Sequence, residues 1–305
     1  MPTQLVGVAD AALYRAKRQG GGALDVYHPD MNAAAVDRLM LKSRLRKAFE
    51  KNELRVHYQP KIDLRDGSIA GAEALVRWEL TDRGLVLPSE FIPLAEESNL
   101  ILELGEWVLD RVCRDYRHLQ DAAINPGRIS VNLSLRQLKQ RDFISRVSAI
   151  CNQHGVSPGS LELEITETTL MEDPVRTTRI LTELHEMGLR LAIDDFGTGY
   201  SSLSALQQFP IGTLKIDQSF VRHATTSHDQ ATIVALIIEM GHTLRLDVVA
   251  EGVESEDQLR FLKALNCDYA QGLLFGRAMA ADDFRDLLLD QGGAAGRYRG
   301  LFARS

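Results

Sequence analysis

The stretch Leu161–Asp195, LELEITETTLMEDPVRTTRILTELHEMGLRLAIDD, reads as one strand, one helix and the next strand. The β-rich run Leu161–Ile165 comes first, the apolar-periodic segment Pro174–Met187 follows, and Arg190–Asp194 completes the unit. From Asp37 onward the same rhythm extends in both directions. Upstream runs are Leu54–Gln59 (LRVHYQ), Ile69–Leu75 (IAGAEAL) and Ile129–Asn132 (ISVN). Downstream runs are Thr213–Ile216 (TLKI), Asp247–Glu251 (DVVAE) and the one that opens at Tyr269–Gln271. Helical segments such as Arg136–His154, Asp229–Leu244 and Glu256–Leu265 lie between them, bounded by Gly, Pro, Ser or Asp. Eight strands alternating with helices predict an α/β fold, a TIM-like (β/α)8 barrel, whose active site lies at the C-terminal strand ends.

That rule can be tested on the sequence. The polar residues at or near the C-terminal ends of the runs are Gln59, Glu73, Asn132, Glu164, Asp194, Lys215, Glu251 and Gln271. A barrel interior that is merely packed has no need of acids and amides there, so the set points to a site. Glu73, Asn132, Glu164, Asp194 and the adjacent Asp195 are expected to converge as oxygen ligands, with no cysteine or histidine among them. Hard oxygen donors select Mg²⁺ or Mn²⁺ over zinc. The pair Asp194-Asp195 suits one aspartate bridging two metals while its neighbour holds the second, the arrangement that two-metal phosphodiester hydrolysis uses to activate water. Glu251 is placed to accept that water's proton, Lys215 to orient the water or stabilise the transition state, and Arg77 to fork onto a phosphate oxygen. After Asp195, the stretch FGTGYSSL passes Gly197 and Gly199 and offers Ser201 and Ser202 as caps, a glycine loop above the metals.

Composition narrows the partners. The chain has 305 residues, is 45% hydrophobic and carries a net charge of -7, which argues against a nucleic-acid duplex or an anionic membrane surface as partner. Cys113, Cys151 and Cys267 are far apart and odd in number, so a disulfide framework is not expected and a reduced, cytoplasmic setting is. Neither a signal peptide nor an apolar run long enough to span a bilayer is visible in the sequence. The eight histidines form no H-E-x-x-H pattern, and Asp195-Phe196-Gly197 has no kinase catalytic loop upstream.

These residues resemble the EAL-domain cyclic di-GMP phosphodiesterases over roughly Lys42–Leu288. The matching motifs, in order, are Tyr58–Lys61 (YQPK), Gly71–Trp78 (GAEALVRW), Val131–Ser134 (VNLS), Glu162–Glu167 (ELEITE), Asp194–Leu203, Leu214–Asp217 (LKID), Ala250–Glu254 (AEGVE) and Gln271-Gly272. The resemblance implies a barrel modified by an antiparallel first strand and a reaction that turns cyclic di-GMP into linear pGpG. It implies Glu73, Asn132, Glu164, Asp194 and Asp195 as metal ligands, and Glu251 as catalytic base or second-metal ligand. It further implies Lys215 at the catalytic water, Glu167 as anchor of the glycine loop and Asp217 and Glu254 as supporting acids. Gln59, Leu75, Arg77 and Gln271 are implied as substrate contacts, and a homodimer through the barrel is implied as the assembly. One departure is Gly276-Arg277-Ala278, where the family often has Gly-Arg-Pro.

Ala9–Gly22 (ADAALYRAKRQGGG) is similar to the last helix of a GGDEF domain. The expected layout is therefore a linker helix over 1–36, the phosphodiesterase barrel over 37–290 and a flexible tail over 291–305. Upstream GGDEF and sensor domains, and with them a membrane tether, would belong to a longer protein. The alternative is a catalytically weak cyclic di-GMP receptor; such domains usually lack the metal ligands or the glycine loop, and this chain keeps both.

Overall fold

A computed structural model of the protein describes residues 29–199 and 206–291. The GGDEF-like helix, the end of the glycine loop with Ser201 and Ser202, and all of the expected tail except Gln291 lie outside these residues. The described residues form two compact units, one from 29–54 and 78–100, the other from 55–77, 101–199 and 206–291.

The strands are β1 Leu54–Asp63, β2 Ile69–Leu80, β3 Gly84–Val86, β4 Arg128–Asn132, β5 Leu161–Thr166, β6 Arg190–Phe196, β7 Thr213–Ile216, β8 Asp247–Ala250 and β9 Tyr269–Ala270. Their order is β1-β9-β8-β7-β6-β5-β4-β2, and β2 pairs back onto β1, which closes an eight-stranded barrel. Neighbours from β2 round to β9 are parallel, whereas β1 runs antiparallel to β9. The antiparallel first strand is as the resemblance implies.

The opening stretch shows why the barrel forms. In β5, Leu161, Leu163 and Ile165 alternate with Glu162 and Glu164, and all five are buried. Successive side chains of a strand point to opposite faces, so one face takes the aliphatics and the other the acids. The acids meet lysines of other strands inside the barrel, which leaves the aliphatics for the surrounding helices. The helix Pro174–Glu186 supplies part of that cover by burying Thr177, Ile180, Leu181 and Leu184, the spacing of one helical face. It starts with Pro174 in its first turn and with the Asp173 side chain accepting from the Arg176 amide. Each fully buried aliphatic contributes roughly 1.5–3 kcal/mol.

The boundaries differ from expectation where strands run on: β1 continues past Gln59 to Asp63 and so includes Lys61. β2 does not stop at Leu75 but continues to Leu80, because Trp78, Glu79 and Leu80 pair with Val86, Leu85 and Gly84 in a hairpin. Glu73 therefore sits mid-strand, with Leu75 and Arg77 farther along. Strand β3, too short for a periodic signal, was not expected at all. Glu251 and Gln271 lie just past the ends of β8 and β9.

The smaller unit contains the helix Pro29–Ala48, this hairpin and the helix Pro88–Glu97. Trp78 is buried edge-on against Phe91, and its indole N–H donates to Glu53. Arg44 grips Asp82 with two hydrogen bonds, and Arg83 bridges Asp37 and Glu90. Among the described residues, no helix is long and apolar enough to cross a membrane.

Candidate active site

At the C-terminal end of the barrel, Lys215 of β7 stands in the middle of a ring of acids. Its Nζ lies 2.6 Å from Glu251 Oε1, 2.7 Å from Glu164 Oε2, 3.0 Å from Asp194 Oδ1 and 3.4 Å from Glu73 Oε2. The lysine is 2% exposed. One ammonium thus faces four carboxylates from β2, β5, β6 and the end of β8. Burial alone would favour the neutral amine, but Glu164, Glu251, Glu73 and Asp194 hold it protonated, far above the usual lysine range.

Glu73 is fixed from both sides. Its Oε1 accepts from Asn132 Nδ2 at 2.7 Å, and its Oε2 accepts from Gln271 Nε2 at 2.7 Å. Gln271 also reaches Gln59 Oε1 at 3.1 Å, and Gln59 Nε2 donates to the Gly276 carbonyl at 3.1 Å. The amides of Gln59 and Gln271, expected as substrate contacts, therefore form a relay that ends on a carboxylate.

The Asp194-Asp195 pair depends on a break in β6. Consecutive strand residues normally face opposite sides of a sheet. Here the register with β7 slips between Ile193 and Phe196, and Asp195 adopts a left-handed φ of 54°. Such a bulge re-aims side chains. As a result Asp194, Asp195 and Glu251 each bring a carboxylate oxygen within 4.8 Å of the others.

The remaining site candidates fall around this centre. Glu167 is buried, and its Oε2 accepts from the Gly197 and Gly199 amides at 2.9 and 3.3 Å. A Cβ on Gly199 would come within 2.9 Å of the Glu167 carboxyl, so the loop needs glycine to approach its anchor. Asp217 caps the helix Gln218–His223 through the Ser219 amide at 3.0 Å and also accepts from the Ser219 hydroxyl. Leu75 and Arg77 are half-buried; Arg77 donates to the Val76 carbonyl at 2.9 Å. The Glu254 side chain is exposed.

The electrostatics suit an additional cation. Burial, followed by repulsion from Glu73, pushes Glu164 well above the carboxylate range. Burial raises Glu251 to about 8 against the pull of Lys215, and burial together with Asp194 and Asp217 raises Asp195 to about 6. Glu73 is the exception: Lys215 and the amides of Gln271 and Asn132 outweigh its burial and keep it low. Asp194 Oδ1 is buried and near Lys215, yet no hydrogen bond is aligned on it. A buried carboxylate oxygen without a hydrogen bond, among other oxygen donors, fits a hard divalent cation.

A model of the EAL domain family matches residues 42–278. Over 274 residues the chain is 44% identical to the bifunctional diguanylate cyclase/cyclic di-GMP phosphodiesterase MucR of Pseudomonas aeruginosa, covering 90% of this chain and 40% of that one. Over 282 residues it is 39% identical to the cyclic di-GMP phosphodiesterase PdeR of Escherichia coli, covering 92% of this chain and 42% of the relative. The chain thus spans less than half the length of these two relatives. The solved structure described as PaMucR phosphodiesterase, c-di-GMP complex, superposes with a TM-score of 0.78 at 44% identity, covering 80% of this chain and 99% of that chain. The barrel with its reversed first strand, the acid ring on a buried lysine and these similarities agree: the chain belongs to the EAL domain family.

Proposed function

We propose that the chain is a Mg²⁺- or Mn²⁺-dependent phosphodiesterase that hydrolyses cyclic di-GMP to linear pGpG. The observation that carries this reading is the gathering of four carboxylates on one buried lysine, with an Asp194 oxygen left without a hydrogen bond. The likeness to a phosphodiesterase solved with cyclic di-GMP supports the substrate.

In this reading Glu73, Asn132, Glu164, Asp194, Asp195 and Glu251 would hold the metal, which would offset the crowded negative charge and supply Lewis-acid polarisation of phosphate and water. Glu251, 2.6 Å from Lys215, takes the proton released as water adds to phosphorus. The bond from phosphorus to the 3′ oxygen breaks, which leaves the 5′-phosphate of pGpG. Lys215, 2.6 Å from Glu251, keeps positive charge beside the developing negative charge. Gln59, Leu75, Arg77 and Gln271 contact the dinucleotide, while Glu167 holds the glycine loop and Asp217 and Glu254 support the ligands. For Gln271 this requires an exchange of partners, from the Glu73 carboxylate to the substrate.

The test is chromatography of cyclic di-GMP incubated with the protein and Mg²⁺ or Mn²⁺, beside the same mixture with chelator and beside Glu251→Gln. pGpG formed only with metal and lost in the variant supports the reading. Binding without cleavage under either metal replaces it with the receptor reading.

The same proposal includes the wider setting: a linker over 1–36, the barrel over 37–290, a tail over 291–305, cytoplasmic exposure, and GGDEF and sensor domains upstream in a longer protein. It also includes a homodimer through the barrel, which light scattering of the purified chain would show as twice the monomer mass.

A further inference from the structure

The loop that carries Glu251 is held by a residue outside the acid ring. Gln258 occupies the first turn of the helix Glu256–Ala264 and is 6% exposed. Its Oε1 accepts from the Glu254 and Ser255 amides at 2.7 and 2.9 Å, which with Ser255 as N-cap forms a capping box. A capping box needs only that oxygen. The amide nitrogen of Gln258 does something more: it donates to the Val221 and Arg222 carbonyls at 3.3 and 3.4 Å. Those carbonyls belong to the last turn of Gln218–His223, the helix that follows Lys215 and is capped by Asp217.

Two further contacts join the same segments. The Glu251 amide donates to the Ile216 carbonyl at 3.2 Å. Gly252, at φ 67°, lies so close to Gln218 that a Cβ would come within 2.6 Å of the Gln218 Cβ. The connection after β7 and the connection after β8 are thereby tied together, and the Lys215–Glu251 pair at 2.6 Å lies between their roots.

We propose that Gln258 is a positioning residue, whose amide nitrogen sets the distance between Lys215 and Glu251 by locking one connection to the other. This rests on the phosphodiesterase reading for its kinetic consequence. A misplacement of about 1 Å at a reacting group lowers turnover by up to about 100-fold.

Gln258→Glu separates the two jobs of the side chain. Glutamate serves the capping box as well as glutamine does, but its second oxygen faces two carbonyls that it cannot donate to. The variant is expected to melt below the wild type, because a buried carboxylate then faces two carbonyls. Per folded molecule it should keep KM within about two-fold and lose at least about ten-fold in kcat with metal saturating. A variant that turns over at the wild-type rate, or that loses activity only in proportion to the folded protein lost, overturns the proposal. If the wild type itself hydrolyses nothing, the phosphodiesterase reading fails, and Mn²⁺ binding followed by electron paramagnetic resonance still decides the tie. Several-fold weaker Mn²⁺ binding in Gln258→Glu then supports a displaced Glu251, and unchanged binding overturns it.

Discussion

Glu162 and Glu164 stand on the same strand, face the same barrel interior and are both buried, yet they live in opposite environments. Glu162 meets Lys61 Nζ at 2.9 Å, Ser130 Oγ at 2.8 Å and Thr213 Oγ1 at 2.7 Å, with Arg128 at 3.6 Å. Burial works against its charge, but Lys61 and the two hydroxyls prevail and hold it down at about 2. Glu164 shares one lysine with three other carboxylates and is pushed well up. One strand thus serves a closed ion pair toward one end of the barrel and an open, overcharged ring at the other. A buried pair whose every oxygen is satisfied is structural. A cluster whose charges do not balance is where a cation and a reaction fit.

Breaking the closed pair should have the largest effect on stability. Lys61→Met leaves Glu162 buried with its principal counter-charge gone, which costs about 3–5 kcal/mol. A chemical denaturation curve should show that loss, while turnover per folded molecule stays near the wild-type value because Lys61 touches no member of the acid ring. Breaking the open cluster should do the reverse. Glu251→Gln removes the proposed base and should lower turnover by about 10²–10⁴-fold with little change in melting. If either variant lost stability and turnover together, the two ends would not be separable and the comparison would fail.

Much of the open cluster was legible in the sequence, and hardly any of the closed one. Asn132, Glu164, Asp194, Lys215 and Glu251 could be found because the barrel rule tells where to look, at the C-terminal end of each run, and Glu73 only because its run reads as stopping at Leu75 although the strand continues to Leu80. Lys61 and Glu162 are separated by 101 positions, and only the reversed direction of β1 brings the lysine to that level of the interior. The bulge that turns Asp195 beside Asp194 left no mark either, since a left-handed aspartate looks like any other in a string of letters. The β3 hairpin was too short to have a period, and Gln258 was hidden inside an ordinary amphipathic helix pattern. Position along a strand is encoded locally, whereas partners across the barrel are not.

The pH dependence of chelated protein sharpens the contrast, because the two ends pull in opposite directions. Glu251 is raised in the folded state to about 8, so its contribution is fully present below the ordinary carboxylate pKa and is lost as pH rises toward 8. Glu162 is depressed to about 2, so its contribution is present above the ordinary value and is lost as pH falls toward 2. Without metal, stability should therefore peak in mildly acidic solution and decline by on the order of 2 kcal/mol toward pH 8. Saturating Mg²⁺ or Mn²⁺ should remove most of the decline on the alkaline side and none on the acid side. Thermal melts across pH, with and without metal, would show it. A chelated protein that grows more stable from pH 5 to 8 would mean that Lys215 alone already balances the ring.

The smallest effect is the most pointed. In Asp194→Asn one negative charge leaves the ring, and the oxygen without a hydrogen bond becomes part of a neutral amide. The loss of attraction to Lys215, 3.0 Å away, is offset by relief from the neighbouring carboxylates, which outnumber the single ammonium. The chelated variant should therefore be as stable as the wild type or more so, by about 1 kcal/mol, although a buried residue has been changed. Calorimetric titration with Mn²⁺ should at the same time show weaker binding. A site kept for structure alone would lose stability when one of its acids is neutralised, as the Lys61–Glu162 pair would. Stability gained where metal affinity is lost would mean that the ring's charge is arranged for the cation and not for the fold.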